Sequence, residues 1–141
     1  MKLLIASDGS ASALHAVRFG ADLLGKFAEP GSITLISVHD DTALHHARRF
    51  VGQQAIDEYL HGLSEQDVSE ARSLLDAAGI RHETVMRTGH VAAEIAAAAD
   101  QGSFDMIVLG SKGRTGFRDM LVGSVAKRVA ELATVPVVLV R

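Results

Sequence analysis

The sequence predicts an α/β fold: a single-domain open five-stranded parallel sheet with helices on both faces. Three observations lead there. Short apolar runs recur along the chain without alternating, as strands buried on both faces do. Between them lie stretches whose apolar residues recur at helical spacing. Turn signals rich in glycine separate the two kinds of stretch. The 141 residues suit one ordinary domain, 1–141, with no linker, internal repeat or low-complexity segment.

Lys2 to Ala6 is the first strand, closed by the turn Asp8-Gly9-Ser10. Ser10 or Ser12 can cap the next helix, where Leu14, Val17, Ala21 and Leu24 form one stripe and Gly25 marks the end. Pro30-Gly31 turns the chain into Ser32 to Val38, a strand rich in β-branched residues. Residues 39–50 are polar and irregular. A long helix runs from Gln53 to Ala78, with Gly79 after it. Ser64 and Asp67 suggest a break or recapping near its middle, so this stretch is one helix or two. Arg81 to Arg87 is polar enough for an edge strand, and Val91 to Asp100 is the third helix. Phe104 to Leu109 is the fourth strand. Ser124 to Ala133 is the fourth helix, with Ser124 a good N-cap. Val135 to Val140 is the fifth strand, and Pro136 favours an edge position or the strand's first residues. Both faces of that strand are apolar, which invites pairing with another chain.

Composition narrows the function classes. There is no Cys, hence no disulfide, thiolate chemistry or cysteine-ligated metal. A net charge of −3 disfavours a general nucleic-acid binder. Aromatics are 4% of residues and Trp is missing, so a stacking platform for single strands is not expected. No apolar run reaches the roughly 18 residues of a membrane span. The N-terminal run is too short for a signal peptide, so a cytoplasmic protein is the expectation. Adjacent His45-His46, with His39 nearby, lack the spacing of metal ligands. His15, His61, His82 and His90 read as surface residues.

In open sheets of this kind ligands bind beyond the carboxyl ends of the strands, where the strand order switches. Three loops should meet there: Asp8-Gly9-Ser10, Val38-His39-Asp40, and Gly110 to Gly116. Gly110, Gly113, Gly116 and Gly123 fall in one short window. Each sits where φ is positive, or where another backbone or a ligand comes close. Backbone N–H groups beside a helix N-terminus form an anion site, and Lys112 and Arg114 add positive charge. The bland alternative is a turn with two solvated bases. Asp8 offers carboxylate oxygens to ribose hydroxyls or a metal, or it simply caps the first helix. A nucleotide suits the sharper readings. Yet G-x-x-x-x-G-K-[ST], G-x-G-x-x-G and G-x-S-x-G are all missing.

The pattern Gly110-x2-Gly113-x9-Gly123-Ser124 resembles the G-2x-G-9x-G-[S/T] signature of ATP-binding universal stress proteins. Ser7-Asp8-Gly9-Ser10, Val38-His39-Asp40 and the Val135-Pro136-Val137 ending look like that family too, and the likeness covers the whole chain. It implies an adenine nucleotide alpha hydrolase-like sheet in the order 3-2-1-4-5. It also implies a cytoplasmic homodimer joined through Val135 to Val140, with ATP, and Mg²⁺ brought by its phosphates, in the cleft. By this resemblance Ala6 and Asp8 lie by the nucleoside, Asp8 at the ribose, and Val38 meets the adenine edge through its backbone. Gly110, Ser111, Lys112, Gly113, Arg114, Thr115 and Gly116 wrap the phosphates. Gly123, Ser124 and Val125 complete the cradle, the Ser124 hydroxyl on a phosphate. Asp8 is the one candidate to help hold Mg²⁺.

The function expected is a regulatory, nucleotide-sensing dimer in stress response, not an enzyme. Its ligand is an adenine nucleotide, with no nucleic-acid or membrane partner. A slow ATPase and a scaffold that binds no nucleotide are the alternatives. No general base or Arg finger is evident, and the adenylating motifs His-Ile-Gly-His and Ser-Gly-Gly-x-Asp-Ser are missing.

Overall fold

Strand order is what positions the site. In the computed structural model, which describes residues 1–114 and 121–141, the strands are β1 (Lys2–Ala6), β2 (Ser32–His39), β3 (His82–Thr88), β4 (Met106–Gly110) and β5 (Val137–Val140). They form one parallel sheet in the order β3-β2-β1-β4-β5. The chain builds outward from β1 to β2 and β3, then returns to lay β4 on the other side of β1. Leu3 therefore has Ile33 of β2 on one side and Met106 of β4 on the other. The loops leaving β1 and β4 run to opposite faces, which opens a crevice between them.

Alternation along the strands divides the core in two. On one face Leu3 and Ile5 of β1, Ile33 and Leu35 of β2 and Val108 of β4 are buried. They pack under α1 (Ala11–Leu24) and α3 (Gln53–Ala77), through Leu14, Val17, Val68, Ala71 and Leu75. On the other face Leu4, Ile36, Ile107 and Leu109 pack under α4 (Val91–Gln101) and α5 (Ser124–Leu132), through Ile95, Ala99, Ala126 and Val129. With β1 and β4 covered on both sides, their buried stretches, Leu3 to Ile5 and Ile107 to Leu109, are wholly apolar.

Several local expectations change. Asp8 does not cap α1; Ser10 does, its hydroxyl accepting from the Ala13 N–H at 3.2 Å. The long helix is unbroken from Gln53 to Ala77, because Ser64 and Asp67 are buried polar residues on its sheet-facing stripe. The stretch read as irregular holds a 3-10 turn, Thr42–Leu44, and a short helix α2 (Arg48–Val51). β4 starts at Met106, and Phe104, ahead of it, is a buried core residue with the Lys2 ammonium 4.4 Å above its ring. Pro136 precedes β5, and its carbonyl accepts from the Ile107 N–H at 2.9 Å, so the ring costs the edge strand no ladder bond. Ser124 is the first residue of α5, and the N-cap is Gly123. Among the described residues no helix is long and apolar enough to cross a membrane.

Candidate nucleotide cleft

At the carboxyl ends of β1, β2 and β4 lies a cleft of about 260 Å³. Ala6, Ser7, Ile36, Val38, Leu109 and Gly110 form the strand-end side of it. Val91 and Ile95 of α4 and Ala13 of α1 add apolar wall. Asp8, Lys112, Gly113 and the α5 start, Gly123, Ser124, Val125 and Ala126, add the polar part. Apolar surface with a few convergent polar groups is how small-molecule sites are built.

The glycine loop is held from three sides. The Ser111 N–H donates to the Val140 carbonyl at 2.7 Å, tying the loop to the end of β5. The Gly123 N–H donates to the Ser111 carbonyl at 2.7 Å, tying it to the start of α5. The Lys112 N–H donates to Ser12 Oγ at 3.3 Å, tying it to α1. Asp8 adds the link to β1. Its Oδ1 accepts from the Ser10 N–H at 3.0 Å and its Oδ2 from the Arg114 N–H at 3.2 Å.

Close approach to backbone, and not left-handed backbone, explains Gly110. Positive φ among the described glycines occurs at Gly9, Gly52, Gly79 and Gly89. At Gly110 a Cβ would lie 2.6 Å from the Ser12 carbonyl carbon and oxygen, so a side chain there collides with backbone. At Gly113 it would lie 3.2 Å from Asp8 Oδ2, and at Gly123 3.4 Å from the Ser111 carbonyl. Gly123 offers no side chain to cap α5. The first-turn N–H groups of a helix have no intrahelical acceptor, and together with the helix dipole they favour an anion. Ser124, Val125 and Ala126 belong to that turn and line the cleft.

Of the residues expected from sequence, Ala6, Asp8, Val38, Gly110, Lys112, Gly113, Gly123, Ser124 and Val125 line the cleft. Ser111 and Arg114 are not among the lining residues. Ser111 is buried and acts through its backbone. Arg114 turns toward α3, its Nη2 paired with Asp67 Oδ1 and its Nε donating to the Asp8 carbonyl at 2.5 Å. Thr115 and Gly116 lie outside the described residues. Sequence reading missed Ser7, Ala13, Ile36, Val91, Ile95, Leu109 and Ala126 in the lining, and Asp67 behind it. Asp67 had a signal: Leu60, Ser64, Asp67, Ala71 and Leu75 follow one helical stripe. A charge on the buried stripe of a helix marks a buried ion pair.

His39 sits on the same network, its Nε2 2.8 Å from Asp67 Oδ2 but out of line for a hydrogen bond. Burial, and then the Arg114 charge, hold its pKa below the ordinary 6.5. Asp40 is exposed, and the Thr42 hydroxyl and N–H hold its carboxyl below the usual carboxylate range. Among the described residues Asp8 is the single carboxylate in the cleft lining, and no cluster of three His, Cys, Asp or Glu could hold a metal.

Two outcomes follow. Gly110→Ala should destabilise the fold by about 1–3 kcal/mol in urea, because Ser12 backbone must move. Gly113→Ala, facing only the end of a carboxylate, should cost clearly less, and equal costs would refute this account. His39 binds protons less readily folded than unfolded, so the unfolded chain takes up more protons below pH 6.5. Its contribution to stability is complete above 6.5 and is lost as the pH falls through the folded value. Urea titrations across that window should show the loss in the native chain and less of it in His39→Gln.

The model of the universal stress protein family matches residues 1–141. A universal stress protein of Methanocaldococcus jannaschii is 30% identical over 141 residues, covering 99% of this chain and 81% of the relative. The universal stress protein YxiE of Bacillus subtilis is 26% identical over 147 residues, covering 99% and 98%. Among solved structures, the hypothetical protein MJ0577 superposes with a TM-score of 0.85 at 23% identity, covering 99% of this chain and 94% of that one. Others of this fold, at TM-scores of 0.65 to 0.69, are a universal stress protein with cAMP, one of Archaeoglobus fulgidus with dAMP and one of Arabidopsis thaliana with AMP. The sheet order, the cleft and these matches agree: the chain belongs to the universal stress protein family.

Proposed function

We propose that the chain binds ATP in this cleft and acts as a nucleotide-sensing regulator in the cytoplasm, not as an enzyme. The observation that carries the reading is the cleft's division of labour. Apolar wall from Ile36, Val38, Val91 and Ile95 suits a base, while Lys112, Gly113 and the α5 N-terminus suit phosphates. Relatives of the same fold were solved with AMP, dAMP and cAMP, which supports an adenine nucleotide.

In this reading Ala6 and the Val38 backbone hold the nucleoside, and Asp8 takes the ribose hydroxyls. Lys112, Gly113, Gly123, Ser124 and Val125 receive the phosphates. Mg²⁺ would enter with the phosphates and neutralise their charge, with Asp8 the carboxylate at hand. Turnover would need a base to activate water. Asp8 is the acid that lines the cleft, and both its oxygens accept backbone N–H bonds. With both oxygens engaged in this way, Asp8 serves the site as a link between β1 and the loop. The same reading takes β5, half-buried at the sheet edge, as the seam of a homodimer.

A thermal-shift panel of ATP, ADP, AMP and cyclic AMP with Mg²⁺ tests the ligand. At a hundredfold excess over Kd, binding adds about 2.7 kcal/mol to stability. ATP should raise the Tm of the native chain and leave a Gly113→Val, Gly123→Val variant unmoved. No response to any of the four nucleotides at millimolar concentration overturns the proposal. Light scattering tests the seam: a dimer mass for the native chain and a monomer for Leu139→Lys are expected, and a native monomer at micromolar concentration refutes it.

A further inference from the structure

We propose that Asp67 is a positioning residue of the glycine loop: from α3 it fixes the Arg114 guanidinium, and Arg114 fixes the loop against β1. The consequence for ligand binding rests on the nucleotide reading above; the positioning itself does not.

Asp67 lies in the middle of α3, outside the cleft, and is 3% exposed. Its groups are engaged on separate sides. Oδ1 meets Arg114 Nη2. Oδ2 accepts from Ser37 Oγ at 3.3 Å and lies 2.8 Å from His39 Nε2. Its backbone carbonyl accepts from Ser7 Oγ at 2.8 Å. Four parts of the chain, the ends of β1 and β2, α3 and the loop after β4, thus meet at one residue. Gly9 turns the chain beside the meeting. It adopts φ +75°, and a Cβ there would lie 3.4 Å from Asp67 Cα and 3.7 Å from Arg114 Nη2.

A buried carboxylate requires a compensating charge. Among the described residues two ionisable groups face it, Arg114 from the loop and His39 from β2. His39 is held toward its neutral form, so the compensation falls to Arg114. A planar guanidinium can do this and more, because its donors form a fixed fork. While Nη2 serves Asp67, Nε serves the Asp8 carbonyl, and the Arg114 N–H serves Asp8 Oδ2. The side chain and the backbone of one residue therefore clamp Asp8, the cleft's carboxylate, beside Gly113. Arg114 contributes to the site by holding it, and its charge is spent on Asp67.

The test uses the full chain with Asp67→Asn, Arg114→Gln, Arg114→Lys and the Asp67→Asn, Arg114→Gln double variant. The first two readouts need no ligand. In Arg114→Gln the His39 imidazole, followed by NMR, should titrate at a higher pH than in the native chain, and the rise should shrink in the double variant. Amide exchange at Lys112, Gly113 and Arg114 should quicken in each single variant, and no further in the double. Arg114→Lys keeps the charge without the fork, so His39 should move little while exchange still quickens. With nucleotide, ATP affinity should fall roughly tenfold in Asp67→Asn, within the usual range of coupling between linked groups, and adenosine affinity should barely change. An unshifted His39 in Arg114→Gln, or native exchange rates in Asp67→Asn, overturns the proposal. If the native chain binds neither ATP nor adenosine, the nucleotide reading falls, and titration and exchange still decide the role of Asp67.

Discussion

Where β4 leaves the sheet, its backbone passes the first turn of α1 at a distance that excludes a Cβ. Gly110 against Ser12 is that contact, and the site depends on it. With the contact closed, the loop after β4 reaches α1 through the Lys112 N–H, returns to the start of α5 through Ser111 and Gly123, and brings Gly113 to Asp8. A bulkier residue at position 110 would push the strand end away from α1 and open each of these links together. Gly110 thus sets the distance between β4 and α1 before it serves any ligand.

The polar half of the arrangement obeys a different constraint. Ser7, Ser37, Ser64 and Asp67 are buried between β1, β2 and α3, where unpaired polar groups are costly. They satisfy one another: Ser37 donates its one proton to Asp67 at 3.3 Å and lies 3.2 Å from the Ser64 hydroxyl, and Ser7 donates to the Asp67 carbonyl. The network lies under the loop that opens the cleft, on the side away from the α5 N-terminus. A cluster of this kind favours one register of α3 over its neighbours, because a one-residue slip would strand every member. Desolvation of its charges offsets much of what their pairing contributes to net stability.

Much of this was legible in the sequence, for reasons that differ by residue. The strands of β1 and β2 announced themselves because burial on both faces removes polar positions, and their ends fell within a residue of the reading. The cleft lining was legible where a motif fixed the spacing, as at Gly110, Gly113 and Gly123. Apolar lining residues such as Ile36 and Ile95 were not, because a residue that lines a cleft and one that fills a core share the same chemistry. Ser64 and Asp67 looked like a helix break because short polar side chains compete with helix backbone in isolation. Burial against the sheet gave them partners and cancelled that tendency. The direction of the Arg114 side chain was beyond sequence, since it depends on a carboxylate 47 positions earlier, at Asp67.

The bond from the Ser111 N–H to the Val140 carbonyl links the edge of the sheet to the glycine loop. Among the described residues β5 pairs with β4 alone, so no strand holds its outer rim. Bending it moves an acceptor that the loop relies on. The edge strand and the glycine loop therefore share a backbone bond, through which a change at one can reach the other. Linkage is reciprocal: whatever steadies the rim of the sheet steadies the loop by the same amount that a ligand in the loop steadies the rim.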